Sequence, residues 1–393
     1  MPITSTDMRI ALFSGNYNYV ADGSSKVLNT LVRFMESQGV TIRVFSPTSD
    51  TPAFRSVGTL ISVPSMPVPG RGEYRIGFGL SGELKDRIRA FNPHLFHLSA
   101  PDLLGHSALG FSEKLGVPAV ASFHTRFDTY FRYYGAGWVE NFSRRKMARF
   151  YARCRHVYVP SPSVSRQLVE DGILDESLRV WSHGIERDRF HPDHRDMGWR
   201  RAHGINDDEV AVTFVGRLVK EKGLTEYADL IHALEARNLP VKALVVGEGP
   251  KRAAMQKRLF KGIFTGHLSG EDLSKAYACG DIFINPSLTE TFGNVTLEAM
   301  ASGLPTICSI ATGSMDLVND GVTGYLVDND DMDTWVDLSE KLVRDTELRY
   351  AMGTAARKAS ASASYDWSVI MHSLLDQYKE VIGTASQPSR KAG

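Results

Sequence analysis

The stretch DIFINPSLTETFGNVTLEAMASGLPTICS, residues 281–309, reads as one strand–helix–strand unit. DIFINPS (281–287) is a short β-branched and aromatic run that ends at Pro286, and the loop after it carries Glu290. A helix begins near Asn294 and stops at Gly303, with Pro305 beyond it as an ordinary C-terminal signal. PTICS (305–309) is then the next strand. The free N–H groups of Gly293, Asn294 and Val295 would point out of the helix N-terminus, a ready anion site suited to a diphosphate. Glu298 lies one turn inside the same helix.

The same rhythm extends outward on both sides. VAVTFVGRL (210–218), VKALVVGEG (241–249) and IFTGHL (263–268) are strands separated by helical stretches. Nearer the start, MRIALFSG (8–15) is a strand, and 24–38 carries Val27, Leu28, Leu31, Val32 and Met35 at a helical period. TIRVFSP (41–47), HLFHLS (94–99), PAVASFHT (118–125), HVYVPS (156–161) and LRVWS (178–182) follow, with helices between most of them. This is the βαβ rhythm of parallel sheets. Residues 64–82 are rich in Pro and Gly and read as a loop. Residues 186–206 are charged, aromatic and poor in aliphatics, which breaks the rhythm and predicts the interdomain connection. The expected architecture is α/β, with two Rossmann-like, doubly wound domains facing across a cleft. The tail 384–393, small, polar and basic, is expected to fray.

Composition narrows the functions. The 393 residues are 42% apolar and 23% charged, with 45 basic against 45 acidic side chains, so no basic excess advertises nucleic acid. The balance conceals an asymmetry: residues 1–185 carry a net +6 and the remainder −6, which suits the first half to an anionic surface. Cys154, Cys279 and Cys308 are far apart with no metal-binding spacing, which implies a reducing compartment. The N-terminus lacks the pattern of a secretory signal, and no apolar run approaches the roughly 18 residues of a spanning helix. The expected location is cytoplasmic, peripheral on the inner face of the membrane at most.

Several motifs carry chemistry. FVGRLVKEKG (214–223) brings Arg217 and Lys222 to the carboxyl end of a strand, where open sheets bind ligands. Two cations and a helix N-terminus can neutralise a leaving diphosphate without a bound metal; the alternative is a solvated loop of mixed charge. Gly247, Glu248 and Gly249 follow a strand, and a tight turn there lies near a ligand. In ASFHTRFDTYFRYYG (121–135), His124 precedes Phe127, Tyr130, Phe131, Tyr133 and Tyr134. These aromatics are either a binding wall or packing under a loop. WVENFSRRKMARFYARCRH (138–156) interleaves Arg144, Arg145, Lys146 and Arg149 with aromatics such as Trp138 and Phe142. It is either a basic amphipathic helix lying on an anionic membrane or a packed helix with a solvated face. The G-x-G-x-x-G at Gly77, Gly79 and Gly82 sits in the Pro/Gly-rich loop and reads as loop rather than cofactor site. GHSALG (105–110) misses the nucleophile elbow, and Asp330 with Asp331 reads as a solvated turn.

VGRLVKEKG, VGEGP (246–250), the Glu290-to-Glu298 stretch and GSMDLVNDGVTGYLV (313–327) together resemble the retaining glycosyltransferases of family four. The resemblance spans nearly the whole chain and implies the GT-B fold. It implies an N-terminal acceptor-binding domain over 1–190, rejoined by a C-terminal helix at about 366–383, and a nucleotide-sugar donor domain over 191–365. By resemblance, Arg217 and Lys222 bind the donor phosphates. Glu290 and His124 are the catalytic-site residues that hold the donor sugar, beside the main chain of Phe292 to Val295. Glu298 binds the nucleotide ribose, with Gly247, Glu248 and Gly249 at the nucleotide. The loop GNYNYVADGSS (15–25), with Asn16, Gly23 and Ser24, approaches the acceptor, although it holds one turn glycine, Gly23, where many members have two. No cofactor or metal is expected. The branch that glycosylates membrane lipids, with its GDP-mannose-dependent mannosyltransferases and sulfolipid synthases, is the most similar one. It implies transfer of a hexose from a nucleotide-sugar, GDP-mannose foremost, to a lipid or lipid-linked glycan at an anionic membrane. A UDP-sugar donor, a nucleotide-sugar 2-epimerase and a nucleotide-sugar sensor are the competing readings. The sensor would not need His124 or Glu290.

Overall fold

The computed structural model describes residues 4–20, 22–68, 71–124, 140–173 and 175–385. The chain forms two compact units. Among the described residues one comprises 4–124, 140–181 and 368–385, and the other 182–367.

The first unit is built on a seven-stranded parallel sheet. Its strands are β1 (Arg9–Phe13), β2 (Thr41–Ser46), β3 (Thr59–Ser62), β6 (Leu95–Leu98), β7 (Ala119–Ser122), β8 (Val157–Val159) and β9 (Leu178–Val180), in the order β3-β2-β1-β6-β7-β8-β9. A separate antiparallel hairpin pairs β4 (Ser65–Val68) with β5 (Arg71–Gly77). The helix Gly23–Ser37 shows why the pattern works. Val27, Leu28, Leu31, Val32 and Met35 are all buried, and Asp22 and Ser25 form a reciprocal capping box at its start. Phe13 stacks between Phe45 and Phe96, with ring centroids 5.0 and 5.2 Å away, and so ties the neighbouring strands β2, β1 and β6 together.

The second unit carries six parallel strands. These are β10 (Val210–Val215), β11 (Val241–Val246), β12 (Ile263–Gly266), β13 (Ile282–Asn285), β14 (Thr306–Ser309) and β15 (Gly324–Val327), ordered β12-β11-β10-β13-β14-β15. In both sheets the strand order reverses once: between β1 and β6 in the first, between β10 and β13 in the second. Ligands of open α/β sheets bind in the crevice outside the carboxyl ends of the strands at such a reversal.

Several expectations are corrected. Residues 64–82 are not an unstructured loop but the β4–β5 hairpin followed by the start of the helix Gly82–Phe91, capped by Ser81. Gly77 therefore does end a strand and Gly82 does open a helix. That strand belongs to the hairpin rather than to the parallel sheet, so no βαβ cofactor turn arises. GHSALG lies inside the helix Leu103–Leu115. Asp330 and Asp331 lie in the solvent-exposed turn expected of them, and Asp331 additionally caps the helix Met332–Arg344. The segment 186–206 belongs wholly to the second unit, and the change of unit falls between Trp181 and Ser182. The segment looks like a linker because its charge is used inside. Arg200, 1% exposed, donates to the Cys279 and Glu209 carbonyls and pairs with Asp281 at 2.9 Å, while Phe190 and Ile205 join the core. The last helix runs Trp367–Ala385, so two residues assigned to the fraying tail are helical, and 386–393 lie outside the described residues. Tyr378 on this helix packs into the first unit. Its hydroxyl is 2.5 Å from Nδ1 of His97, whose Nε2 is 3.0 Å from the Ser122 hydroxyl. Cys154, Cys279 and Cys308 are free and buried.

Candidate functional site

In the second unit the crevice at the β10/β13 reversal is assembled by close approach of two loops. After β10 the chain passes Gly216 and Arg217, makes a short 3-10 turn over Lys220–Lys222, and leaves through Gly223 at φ +69°. A Cβ at Gly223 would stand 2.5 Å from the Pro286 carbonyl oxygen, so only glycine lets this loop lie against the exit of β13. The approach brings Lys222 Nζ to 2.6 Å from Glu290 Oε1, with side chains 24% and 13% exposed. The Glu290 carbonyl accepts from the Gly313 N–H at 3.0 Å and the Thr312 hydroxyl at 2.9 Å. Glu290 is thus held at main chain and carboxylate together. Lys222 and Glu290, assigned separately to phosphate and sugar, are partners here. Arg217 is half-buried on the same loop.

The helix Asn294–Ala301 begins where expected. The Gly293 carbonyl, of a residue at φ +92°, accepts from the N–H groups of Thr296 and Leu297, while those of Asn294 and Val295 reach no main-chain carbonyl outside the helix among the described residues. These two donors stand at the reversal beside the Lys222–Glu290 pair's own loop. The Phe292 ring is 3% exposed and packs 4.7 Å from the His183 ring and 6.2 Å from Tyr365. It is a core side chain, which leaves main chain for a ligand at that position. Glu298, half-buried, accepts a 2.8 Å hydrogen bond on Oε2 from Tyr277. Burial pushes the Tyr277 hydroxyl well above its ordinary pKa, so it stays a donor.

Gly247 and Gly249 have a structural cause of their own. A Cβ at Gly247 would lie 1.9 Å from the Gly216 carbonyl oxygen, and one at Gly249 would lie 2.5 Å from that of Leu218. The loops after β10 and β11 are zipped there by Leu218 N–H to Glu248 O at 2.8 Å and Lys251 N–H to Leu218 O at 3.0 Å. The Glu248 carboxylate pairs with Arg252.

In the first unit His124 lies two residues past β7, half-buried, with its ring edge-on to Trp181 at 5.6 Å. The loop after β1 is held by hydrogen bonds of its own and by others to neighbouring segments, such as Tyr17 to the Val57 carbonyl and Asn18 to that of Phe54. The Asn16 amide donates to the Val20 carbonyl and to Asp22, and the Ser24 hydroxyl donates to Asp22. Gly23 is the first residue of its helix rather than the turn glycine. The close approach falls instead at Gly15, whose Cβ would lie 2.5 Å from Asp102 Oδ2. Asp102 caps the helix Leu103–Leu115, and burial raises its carboxyl pKa.

The basic helix Glu140–Tyr151 inserts Met147, Phe150 and Tyr151 into the core and leaves Arg145, Lys146 and Arg149 exposed. Arg144 instead pairs with Asp171 at 3.2 Å. The aromatics Phe127, Tyr130, Phe131, Tyr133, Tyr134 and Trp138, and the side chain of Phe142, lie outside the described residues. Among the described residues no helix is long and apolar enough to cross a membrane.

Sequence reasoning missed Asp102, Trp181, His183 and Tyr277. The first three follow strand ends, which is the signal that could have found them. Tyr277 is a lone helical tyrosine whose partner is distant in sequence, and it carries no such signal.

Two family models match. "Glycosyltransferase Family 4" covers residues 21–189 and "Glycosyl transferases group 1" covers 197–359. A sulfoquinovosyl transferase of Arabidopsis thaliana is 31% identical over 92% of this chain and 72% of its own length. A GDP-mannose-dependent alpha-mannosyltransferase of Corynebacterium glutamicum is 30% identical over 84% of this chain and 77% of its own. Among solved structures, the Anabaena protein HepE, in complex with UDP and glucose, superposes with a TM-score of 0.75. The match covers 95% of this chain and all of that one, at 18% identity, and is a likeness of fold.

Proposed function

The chain belongs to the family-four glycosyltransferases, of GT-B fold, and on that premise we propose that it moves a hexose, with retention, from a nucleotide-sugar to a membrane lipid or lipid-linked glycan. The observation that carries the reading is the β10/β13 crevice of the second unit. Lys222 pairs with Glu290 there, Arg217 lies on the same loop as Lys222, and the first turn of the helix Asn294–Ala301 follows on the loop that carries Glu290. Such a set suits a nucleoside diphosphate, because cations and fixed N–H dipoles oppose the charge that develops on the leaving diphosphate. In the transfer the bond from the anomeric carbon to the diphosphate breaks, the acceptor oxygen bonds to that carbon, and the acceptor proton passes to the departing phosphate. Lys222 has three N–H donors and gives one to Glu290, so the rest remain for phosphate oxygens. By resemblance to the family, Glu290, held at both main chain and carboxylate, is assigned to accept from donor-sugar hydroxyls, and Glu298, hydrogen-bonded to Tyr277, from those of the ribose. His124 is assigned to the donor sugar by resemblance to the family.

GDP-mannose is the donor we favour, on the mannosyltransferase relatives. The sulfoquinovosyl transferase, which matches a longer part of the chain, supports a UDP-sugar as the second reading. A thermal-shift panel with GDP, UDP, ADP and TDP tests both. A nucleotide at 100 times its dissociation constant adds about 2.7 kcal/mol of stability. Stabilisation by GDP alone supports mannose, stabilisation by UDP alone moves the donor to glucose, glucuronate or sulfoquinovose, and no shift refutes the donor site. Incubating the bound nucleotide-sugar without acceptor then separates transfer from epimerisation, since an epimerase would isomerise it. The exposed cations of the helix Glu140–Tyr151 are proposed to meet an anionic membrane, at about 1 kcal/mol per residue. Replacing Arg145, Lys146 and Arg149 with Ser should then abolish sedimentation with anionic liposomes, and unchanged sedimentation would place the contact elsewhere.

A further inference from the structure

His183 is the second residue after the change of unit, 6% exposed, with its ring against Phe292 at 4.7 Å. Its Nδ1 is 2.9 Å from Oδ1 of Asn294, the first residue of the helix Asn294–Ala301. Burial holds the imidazole down at about pKa 4, so it is neutral and carries a single N–H. An amide oxygen can only accept, so that proton sits on Nδ1. The Asn294 amide is thereby anchored through its oxygen, and its NH2 group makes no hydrogen bond among the described residues. The free NH2 belongs to the very residue whose main-chain N–H, with that of Val295, is unspent at the helix N-terminus.

An asparagine at this place is two-faced. With the NH2 outward it adds neutral donors to a cluster of main-chain donors, and with the oxygen outward it turns a partial negative charge on an anion. Sequence alone leaves that choice open. We propose that His183 is a positioning residue that locks the Asn294 amide with its NH2 toward the donor diphosphate, making the Asn294 side chain a phosphate-orienting group. The inference rests on the donor-site reading above. It adds the side chain of Asn294 to a site otherwise built from main chain and cations. It also gives a role to a buried histidine that the transfer chemistry does not use.

The test is calorimetric binding of GDP and UDP to the full chain and its variants, beside thermal unfolding. H183L keeps apolar bulk against Phe292 but removes the donor, and it should weaken the better-bound nucleotide about tenfold, one hydrogen bond's worth. N294A should lose a similar factor, and the double variant no more than either single, because the two act as one unit. H183Q, whose amide can donate in place of Nδ1, should return to within about threefold of the parent. N294D leaves the histidine an acceptor and suits a helix start, so it stays folded. It puts a carboxylate oxygen where the NH2 stood and should lose more than N294A.

Parental nucleotide binding by a folded H183L, or losses that multiply in the double variant, overturns the inference. Parental binding by N294D does the same if H183L is unstable. If the parent chain binds neither nucleotide, the donor-site reading falls and this inference with it. If the parent binds, K222A abolishes binding and the His183 and Asn294 variants change nothing, the inference alone fails.

Discussion

The two strand-order reversals occupy equivalent places in their sheets, and each is closed by a glycine pressed against the opposing loop. Gly15 meets Asp102 in the first unit and Gly223 meets Pro286 in the second, each with a would-be Cβ contact of 2.5 Å. Their chemistry is opposite. At β1/β6 the Asn16 and Ser24 side chains are spent on hydrogen bonds within the loop, and a partly desolvated carboxyl group, that of Asp102, lies against Gly15. At β10/β13 the loops present Arg217, Lys222 and an uncapped helix N-terminus. On the proposed reading the second arrangement suits a diphosphate, because it offers cations and main-chain donors where the first offers a carboxyl group. The shared topology says where a ligand goes, and the side chains at the reversal say which ligand.

The comparison can be broken at three levels. The largest effect should come from charge. R217A or K222A should lower transfer about 100- to 1000-fold and weaken nucleoside diphosphate binding, as loss of a preorganised donor does. D102N in the other crevice should leave GDP and UDP affinity at the parental value. Loss of nucleotide affinity in D102N would mean that the donor is not confined to the second unit.

Next comes the backbone. G223A must hold alanine at φ +69° against a main-chain oxygen and should cost about 2–4 kcal/mol in urea unfolding. G15A meets only the end of the Asp102 side chain, which can swing away at the expense of its helix cap, a cost of about 1 kcal/mol. Equal costs would show that the first crevice is as rigid as the second.

The third level is a pH slope to which each unit contributes one histidine. Burial lowers His97 to about 3 and His183 to about 4, against about 6.5 in an unfolded chain. Above pH 6.5 both states are neutral at these sites and they add no slope. Between pH 6.5 and 4 only the unfolded chain takes up the protons, so stability falls with pH by about 1.4 kcal/mol per unit for each histidine. H97Q and H183Q should each remove one share of the slope. A slope unchanged by either would mean that the site is hydrated and titrates in the folded protein.

The alternation of strands and helices, the two-part chain and the positions of Arg217, Lys222, Glu290 and Glu298 were legible because each depends on local pattern. Strand runs are apolar, helices repeat every 3.6 residues, and ligand loops follow strand ends. The short β3 and the β4–β5 hairpin were not, since Pro and Gly conceal a strand whose pairing is supplied by another segment. The stretch 186–206 misled because a buried Arg200 looks in sequence like a solvated one, and its partners Cys279 and Asp281 come from far along the chain.

By itself, then, the sequence determined the family, the βαβ order and the residues gathered at strand ends, because these follow from composition and near-neighbour spacing. The tertiary structure alone decided that Lys222 pairs with Glu290, that Tyr277 orients Glu298, that Gly247 serves a backbone crossing, and that His183 holds Asn294. Each of those depends on side chains or loops that meet only when distant segments pack, and their hydrogen bonds and steric limits act over a few ångströms of space rather than along the chain.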